Sequence, residues 1–258
     1  MELTWLGTAG FRISTGEHIF LIDPYLTRNS KAQPSQTLVP GDISKAEQLF
    51  LSHGHFDHVC DVPAIAAQTG SAVYCSAVAG DTLVRKGLDK SQLHVVDCDG
   101  YVADFGGYQA QAFFSKHIRF DWQLVMRTMA SIHVNIFRYI PMLYSYPEGQ
   151  VLSWRFSIGD RVIHHFGSAG SPQEELDRLA SRPTDLLLLP LQGNTHICDI
   201  ALKYVRAMRP NLVIPHHQDD FYPPISSMVD IEPFVAGVKR ECPGTEVKVM
   251  SLNEIITL

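Results

Sequence analysis

The chain has 258 residues, of which 45% are hydrophobic and 19% are charged, and this composition suits one globular domain with a substantial core. The formal net charge of −6 argues against a nucleic-acid partner, because neutralising phosphates requires clustered Lys and Arg. The first residues enter a strand pattern without the charged and apolar regions of a signal peptide, so we expect a cytoplasmic protein.

Three short β-strands are predicted at the start of the chain, because glycines separate its apolar stretches. These predicted strands cover residues 3–6, 11–14 and 18–23. Asp23-Pro24 ends the third strand, and the polar stretch 26–45 is predicted to form a loop.

The densest group of polar side chains follows the short apolar stretch 48–51, and it consists of His53, His55, Asp57 and His58. In an extended segment His53 and His55 point the same way about 7 Å apart, so their imidazoles can converge on one metal ion. Asp57 and His58 fall at the start of a predicted helix and cannot face that same point. The pattern therefore indicates two neighbouring metal positions, and the alternative is a loop of solvated histidines.

The order His-x-His-x-Asp-His after an apolar strand resembles the signature of the metallo-β-lactamase superfamily of metal-dependent hydrolases. The resemblance implies an α/β fold, a four-layer αββα sandwich of two mixed β-sheets with helices on the outer faces. We expect a single metallo-β-lactamase-like domain over 1–258, with an apolar helical insert at about 118–150. In layout the chain is most similar to the ascorbate-phosphate lactonase-like branch.

Helices and strands alternate after the histidine cluster, as expected for helices that cover one face of a sheet. The predicted elements are helix 61–69, strand 72–75, helix 78–86, strand 93–96 and strands within 101–116. His117 comes directly after the last of these strands. The resemblance places the next ligand there and assigns His117 to the first metal site, and the alternative is an exposed histidine at a strand end.

The stretch 118–146 is strongly apolar and is the part least similar to the family. Charged residues interrupt it too often for a transmembrane span. We expect one or two helices beside the metal centre, which act as a pocket wall or lid, as a homo-oligomer surface or as an interfacial contact. Arginines in this stretch, such as Arg119, are candidates for binding an anionic part of a substrate.

A predicted hairpin, 151–158 and 161–166, leads to the main departure from the family. Many members have Gly-Asp-Thr-Gly where this chain has Gly-Ser-Ala-Gly at 167–170, and their aspartate bridges two metals. Ser168 stands in its place, and a neutral hydroxyl cannot hold two divalent ions together. Either the second site is weak, or another acid compensates, or one metal suffices.

Two further loops that follow buried strands carry candidate site residues. The first follows strand 185–190, and its polar residues either contact the substrate or cap the helix 197–208; these are Gln192, Asn194 and His196. The second follows Val213 and resembles the family's Pro-x-His segment, which favours His217 over His216 as a ligand. Asp219 and Asp220 are close enough in sequence to replace the missing bridge.

The resemblance implies a hydrolase in which a metal-bound hydroxide attacks an ester, lactone or phosphoester bond of a small molecule. One or two Zn²⁺ ions are expected, with Mn²⁺ or Fe²⁺ as alternatives. Asp57 is the candidate catalytic residue that orients the water or accepts its proton. Because of Ser168, the alternative is a non-catalytic or weakly metal-binding ligand-binding module of the same fold. The implied metal ligands are His53, His55 and His117 at the first site, and Asp57, His58 and His217 at the second.

Overall fold

Two seven-stranded mixed β-sheets form the centre of the fold in the computed structural model, which describes residues 1–132 and 144–258. From one edge to the other, the strands of the first sheet are β14 (Ile255–Thr257), β1 (Glu2–Gly7), β2 (Gly10–Ser14), β3 (Ile19–Ile22), β4 (Gln48–Phe50), β5 (Ala72–Cys75) and β6 (Leu93–Val95). The strands of the second sheet are β13 (Glu246–Val247), β12 (Leu212–His216), β11 (Leu186–Pro190), β10 (Arg161–Phe166), β9 (Val151–Ile158), β8 (Gln109–Ser115) and β7 (Tyr101–Asp104).

The two sheets share one pairing pattern. In the first sheet the pairs from β14 to β3 are antiparallel and those from β3 to β6 are parallel. In the second sheet the pairs from β7 to β10 are antiparallel and those from β10 to β13 are parallel. Parallel strands need crossover connections, and helices supply most of them.

The described part of the chain forms seven α-helices, some of which cover the outer faces of the sheets. They are α1 (Phe56–Val59), α2 (Val62–Thr69), α3 (Ala77–Arg85), α4 (Trp122–Ile132), α5 (Gln173–Ala180), α6 (Ile197–Met208) and α7 (Glu232–Glu241), with short 3₁₀ turns at Pro40–Asp42 and Lys90–Gln92. Ile65 of α2 packs with Leu49 of the first sheet. Leu202 of α6 and Phe234 of α7 pack with Leu187 of the second sheet.

A third apolar cluster fills the space between the sheets. Phe50 of the first sheet lies 4.9 Å from Trp154 of the second, measured between ring centroids, and Phe20 lies 4.8 Å from Phe156. The Trp154 indole N–H donates to the carbonyl oxygen of Leu51 at 2.9 Å. These contacts complete four layers, helix, sheet, sheet and helix, so the expected αββα sandwich is confirmed.

The structure describes only part of the helical insert that was predicted at about 118–150. Its first helix is present as α4, whereas residues 133–143 lie outside the described residues, so the predicted second helix is not described here. Within residues 1–132 and 144–258, no helix combines the length and the hydrophobicity that crossing a bilayer requires.

Candidate metal centre

The candidate ligands are carried by segments that follow strands of both sheets. His53 and His55 lie in the loop after β4, His117 lies after β8, and His217 lies after β12. Asp57 and His58 belong to α1, which follows the histidine loop directly. The face-to-face packing of the sheets therefore brings together residues that are more than 150 positions apart in sequence. This is expected for a site that lies between sheet edges.

A glycine is required between His53 and His55 because another loop approaches closely. A Cβ at Gly54 would lie 2.1 Å from the carbonyl oxygen of Pro147. The Gly54 N–H also donates to the carbonyl oxygen of Glu148 at 2.8 Å. These contacts hold the histidine loop against the segment that precedes β9, and so fix the positions of the two imidazoles.

The first group of ligand atoms comes from His53, His55 and His117. One side-chain nitrogen of each lies within 4.8 Å of the others. His53 Nε2 lies 3.0 Å from His55 Nδ1, and the His117 ring centroid lies 5.0 Å from that of His53 and 4.7 Å from that of His55. The structure thus brings these three side chains together at one point, with His117 half-buried and not exposed at a strand end.

The second group comes from Asp57, His58 and His217, all of them buried. Asp57 Oδ2 lies 3.3 Å from His217 Nε2 and 3.7 Å from His58 Nε2. His217 has a φ of +61°, in the left-handed region, and its backbone N–H donates to the carbonyl oxygen of Thr8 at 2.9 Å. This hydrogen bond to the first sheet supports an unusual backbone conformation that turns the imidazole toward Asp57.

His216 lies elsewhere, although it is adjacent to His217 in sequence. It is the last residue of β12 and its ring stacks on His165, with centroids 5.1 Å apart and an interplanar angle of 5°. Side chains of successive strand residues point to opposite sides, so only one of the two histidines can reach the site. The structure places His217, and not His216, beside Asp57.

Asp23 and Ser52 form a buried layer of hydrogen bonds behind the ligands. Asp23 Oδ2 lies 2.9 Å from His58 Nδ1 and accepts a hydrogen bond of 2.5 Å from the Ser52 hydroxyl. Because the Ser52 hydroxyl donates its proton to Asp23, Ser52 Oγ accepts a hydrogen bond of 2.9 Å from His53 Nδ1. Both imidazoles then present Nε2 to the site, and such partners orient metal-ligating histidines.

His117 has an equivalent partner in the backbone of the next residue. Its Nδ1 lies 2.8 Å from the carbonyl oxygen of Ile118, which can only accept, so Nδ1 carries the proton and Nε2 carries the lone pair. Sequence reasoning missed the Ile118 carbonyl and the roles of Asp23 and Ser52. The only available signal was an aspartate at the end of β3.

The imidazoles of the first group are held in the neutral form. Burial lowers the pKa of His53 well below its ordinary value, and the neighbouring histidines add to the effect. Burial also lowers the pKa of His55, and burial together with His55 lowers the pKa of His117 to about 4. Metal binding requires the neutral imidazole, so these three side chains are ready to bind near neutral pH.

The second group contains opposite charges. Burial opposes the protonation of His58, but the carboxylates of Asp23 and Asp57 outweigh it and raise the pKa of His58. Burial alone raises the pKa of Asp57, yet the charge on His58 and the hydrogen bond from His217 bring it below its ordinary value. Asp57 is therefore ionised at neutral pH, and a cation between these three groups would replace the proton on His58 as its counter-charge.

The residues present fit a divalent metal of the zinc type. Three imidazoles, or two imidazoles and a carboxylate, are donor sets that Zn²⁺ uses in proteins. Buried His217 Nδ1 has no hydrogen-bond partner among the described residues. His53 Nε2 and His55 Nδ1 lie 3.0 Å apart, close enough for both nitrogens to bind one cation.

Ser168 lies at the site but faces a backbone group. Its hydroxyl accepts a hydrogen bond from the Ile118 N–H at 2.9 Å, and the residue contributes to the wall of the same cavity as the six ligands. This contact connects the end of β10 to the segment that carries His117. The structure thus places a neutral residue beside the ligands, where the resemblance implies a bridging aspartate.

Asp219 and Asp220, the two residues considered as replacements for the bridging carboxylate, both have partners outside the two groups of candidate ligand atoms. Asp219 Oδ2 is paired with the Arg28 guanidinium and accepts the Thr8 N–H at 3.0 Å. Asp220 accepts a hydrogen bond from the Ser226 hydroxyl at 2.5 Å. Neither carboxylate belongs to the two groups of candidate ligand atoms.

The six ligand side chains line one cavity of about 330 Å³, and Gln192 lines it as well. Arg119 instead borders a second, wider groove of about 740 Å³ that shares His55 and His117 with the cavity. Asn194 is used locally, since it donates to the Arg119 carbonyl oxygen at 2.9 Å and accepts the His196 N–H at 2.9 Å. His196 itself is the N-cap residue of α6.

These positions separate the four candidate substrate contacts. Gln192 faces the cavity and Arg119 faces the neighbouring groove. Asn194 and His196 are not among the residues that line either space, and both take part in starting α6. Asn194 is thus used in the turn before α6, and His196 occupies the N-cap position without a side-chain capping hydrogen bond.

Comparisons with known proteins agree with this geometry. A model of the β-lactamase superfamily domain matches residues 2–217. A UPF0173 metal-dependent hydrolase of Pelotomaculum thermopropionicum is 30% identical over 264 residues, which cover 100% of both chains. A UPF0173 metal-dependent hydrolase of Carboxydothermus hydrogenoformans is 27% identical over 259 residues, again covering 100% of both.

Solved structures show the same fold. A metallo hydrolase from Ignicoccus hospitalis superposes with a TM-score of 0.73 at 20% identity, over 99% of this chain and 97% of that chain. An isothiocyanate hydrolase from Delia radicum gut bacteria has a TM-score of 0.67 at 13% identity, over 100% and 99% of the two chains. With residues 2–217 matched and full-length relatives of this identity, the chain belongs to the metallo-β-lactamase superfamily and, within it, to the UPF0173 metal-dependent hydrolases.

Proposed function

We propose that this metal-dependent hydrolase uses Zn²⁺, with Mn²⁺ or Fe²⁺ as alternatives, to cleave an ester, lactone or phosphoester bond of a small molecule. The observation that carries the proposal is that two three-residue groups of ligand atoms line one cavity. Concave sites with convergent polar groups and shifted pKa values are typical of active sites.

Each group would hold one ion. His53, His55 and His117 would hold the first, and Asp57, His58 and His217 would hold the second. When bound, a divalent metal lowers the pKa of a coordinated water and polarises the oxygen of the scissile bond.

Asp57 is the proposed catalytic residue, and its surroundings favour orientation over proton transfer. Its carboxylate is ionised, and a carboxylate whose pKa lies below its ordinary value is a weak proton acceptor. It can still accept a hydrogen bond and so fix the direction in which a water molecule presents its lone pair. We therefore propose that Asp57 orients the attacking water.

The neutral Ser168 supports unequal metal sites. Without a carboxylate between the groups, the second site depends on Asp57 alone for negative charge among its three ligands. We propose that the first site has the higher metal affinity. The second site would then fill only at a higher metal concentration. A protein that binds no metal at either site would instead be the ligand-binding module.

The test combines metal analysis with a substrate screen. Purified protein is expected to carry one to two equivalents of metal, and His53→Ala and His117→Ala are expected to lose the first equivalent together with turnover. His94→Ala changes an exposed histidine outside the site and serves as the matched control. The screen offers phosphoesters, lactones and acyl esters with Zn²⁺, Mn²⁺ and Fe²⁺ in turn, and metal-free wild-type protein without turnover would contradict the proposal.

Two expectations are not tested by the fold or the comparisons. A cytoplasmic location stays a prediction. Homo-oligomerisation through the 118–150 insert also stays a prediction, and light scattering of the purified protein measures it directly.

A further inference from the structure

Many of the residues that line the cavity besides the six candidate ligands are apolar. Six of the residues that form it are Phe56, Ile118, Leu124, Val125, Met129 and Phe221. They come from α1, from the segment after β8, from α4 and from the segment after β12, so the wall is built by four separate parts of the chain. A volume of about 330 Å³ is in the range of small-molecule sites.

The described residues that line this cavity include no Lys and no Arg. A phosphate group brought into it would keep charge on oxygens that are not bound to the metals, and no cationic side chain among the described lining residues would face that charge. Burying an unpaired charge is costly, and proteins normally supply Arg, Lys or backbone N–H groups for phosphate. A neutral carbonyl compound carries no such charge into the cavity.

Basic side chains lie in the neighbouring groove instead. Lys116 and Arg119 border that groove, and Glu148 borders it with them. Glu148 Oε2 lies 4.0 Å from His117 Nδ1, so a carboxylate is present at the same place as the two cations. The groove is therefore of mixed charge, and its Lys116 and Arg119 do not line the cavity itself.

We infer that the substrate is a neutral carboxylic ester or lactone whose apolar acyl or aryl part fills the space against α4, and not a phosphoester. This inference rests on the proposed function. The water oxygen forms a bond to the carbonyl carbon and the acyl C–O bond breaks. One water proton goes to the leaving alkoxide oxygen and the other to solvent, which gives an alcohol and a carboxylate.

Helix α4 provides variants that separate cavity contact from surface hydrophobicity. Val125 and Met129 are four residues apart, on one face of α4, and both line the cavity. Met126 is on the same helix and does not line it. Their exposed fractions are similar, at 42% for Val125, 51% for Met129 and 45% for Met126, so a Lys is tolerated at each position without unfolding the core.

The kinetic experiment compares p-nitrophenyl esters of increasing acyl length with p-nitrophenyl phosphate, using the zinc-loaded protein. We expect kcat/KM to rise about fourfold for each added methylene from acetate until the cavity is full, since each methylene is transferred from water to apolar surroundings. Met129→Lys and Val125→Lys are expected to abolish this rise, whereas Met126→Lys leaves it as in the wild type. No dependence on acyl length, or faster turnover of the phosphate, would overturn the inference.

A binding experiment on metal-free protein gives a second readout that does not need turnover. The probe is 2-decanone, a neutral carbonyl compound that cannot be hydrolysed, followed by saturation-transfer NMR. We expect binding to wild type and Met126→Lys, and at least fivefold weaker binding to Met129→Lys. Equal binding to Met129→Lys and wild type would overturn the inference.

The substrate class and the metal-dependent activity are tested by different results. A metal-loaded protein that hydrolyses phosphoesters and ignores acyl length contradicts the substrate class and leaves the metal-dependent hydrolase intact. A protein that binds no metal contradicts the proposed function, and 2-decanone binding then still reports whether the cavity accepts an apolar carbonyl compound.

Discussion

The Nδ1 atom of His58 lies 2.9 Å from Oδ2 of Asp23, and both side chains are buried. Asp23 thereby fixes the imidazole so that Nε2 points into the second group of ligands. It also reaches the first group, because its contact with Ser52 fixes the hydroxyl that accepts from His53. One carboxylate therefore supports ligands of both proposed metal positions.

We expect Asp23→Asn to weaken zinc binding by about 10–100-fold, the usual effect of removing a partner behind a metal-ligating histidine. The change keeps the shape of the side chain and removes its charge. Competition with a zinc chelator measures the affinity. Asp61→Asn is the matched control, since Asp61 is a buried aspartate that accepts the N–H groups of Leu26 and Thr27. Equal loss of affinity in both variants would contradict the role of Asp23.

Arg28 and Asp219 form a buried ion pair next to the His217 segment, with exposed side-chain fractions of 2% and 1%. Asp219 also accepts the Thr8 N–H, and the Thr8 carbonyl oxygen accepts the His217 N–H. Removing one partner leaves the other charge buried, so Asp219→Ala should lower the free energy of unfolding by about 3–5 kcal/mol. Urea denaturation of the metal-free protein measures this change.

Two control variants make the ion-pair prediction specific. Asp99→Ala breaks the exposed pair between Asp99 and Arg178 and is expected to cost about 1 kcal/mol or less. The double variant Arg28→Met with Asp219→Leu removes both buried charges and should recover much of the lost stability. If Asp219→Ala costs no more than Asp99→Ala, the buried pair does not contribute as described.

Ser168→Asp should raise metal occupancy at the second site. Ser168 lines the same cavity as the candidate ligands, and a carboxylate at this position would supply the negative charge that a serine lacks. Elemental analysis at fixed zinc concentration should move from about one equivalent toward two. The Asn side chain has nearly the same size as Asp but no charge. Ser168→Asn should therefore leave the metal stoichiometry as in the wild type. Equal stoichiometry in all three proteins would show that Ser168 is not at a bridging position.

Buried histidines should make the metal-free protein sensitive to acid. Burial lowers the pKa of His165 to about 4, against an ordinary value near 6.5 in the unfolded chain. Between these two values the unfolded state binds more protons than the folded state. Stability is therefore fully present above about pH 6.5 and falls as the pH drops toward about 4.

His165→Gln is the variant that tests this pH dependence. We expect the loss of unfolding free energy between pH 7 and pH 4.5 to be roughly 2 kcal/mol smaller than in the wild type. Urea denaturation at the two pH values gives the difference, and His94→Gln serves as the exposed control. An unchanged pH dependence in His165→Gln would contradict the assignment.

The local parts of the site were predictable, whereas the long-range parts were not. His53, His55, Asp57 and His58 are close in sequence, so their spacing alone indicated a metal site. His117 and His217 were identified only through the family resemblance, since nothing in their own surroundings marks them. Packing of the two sheets then brings both to the histidine loop.

The roles of Asp23 and Asp219 depend on partners that sequence reasoning could not see. Asp219 pairs with Arg28 across 191 positions, and this tertiary contact removes it from the list of possible metal ligands. No partner of Asp23 was predicted from the sequence, and its contact with His58 requires the end of β3 to lie beside α1. Polar side chains near a site are therefore assigned reliably only once their partners are known.

Anomalous diffraction at the zinc edge, from crystals of zinc-loaded protein, tests the central claim most directly. We predict a peak about 2.0–2.1 Å from one nitrogen each of His53, His55 and His117. A weaker peak is expected among Asp57, His58 and His217. Zinc bound elsewhere on the protein, with no peak between the first three imidazoles, would contradict the account.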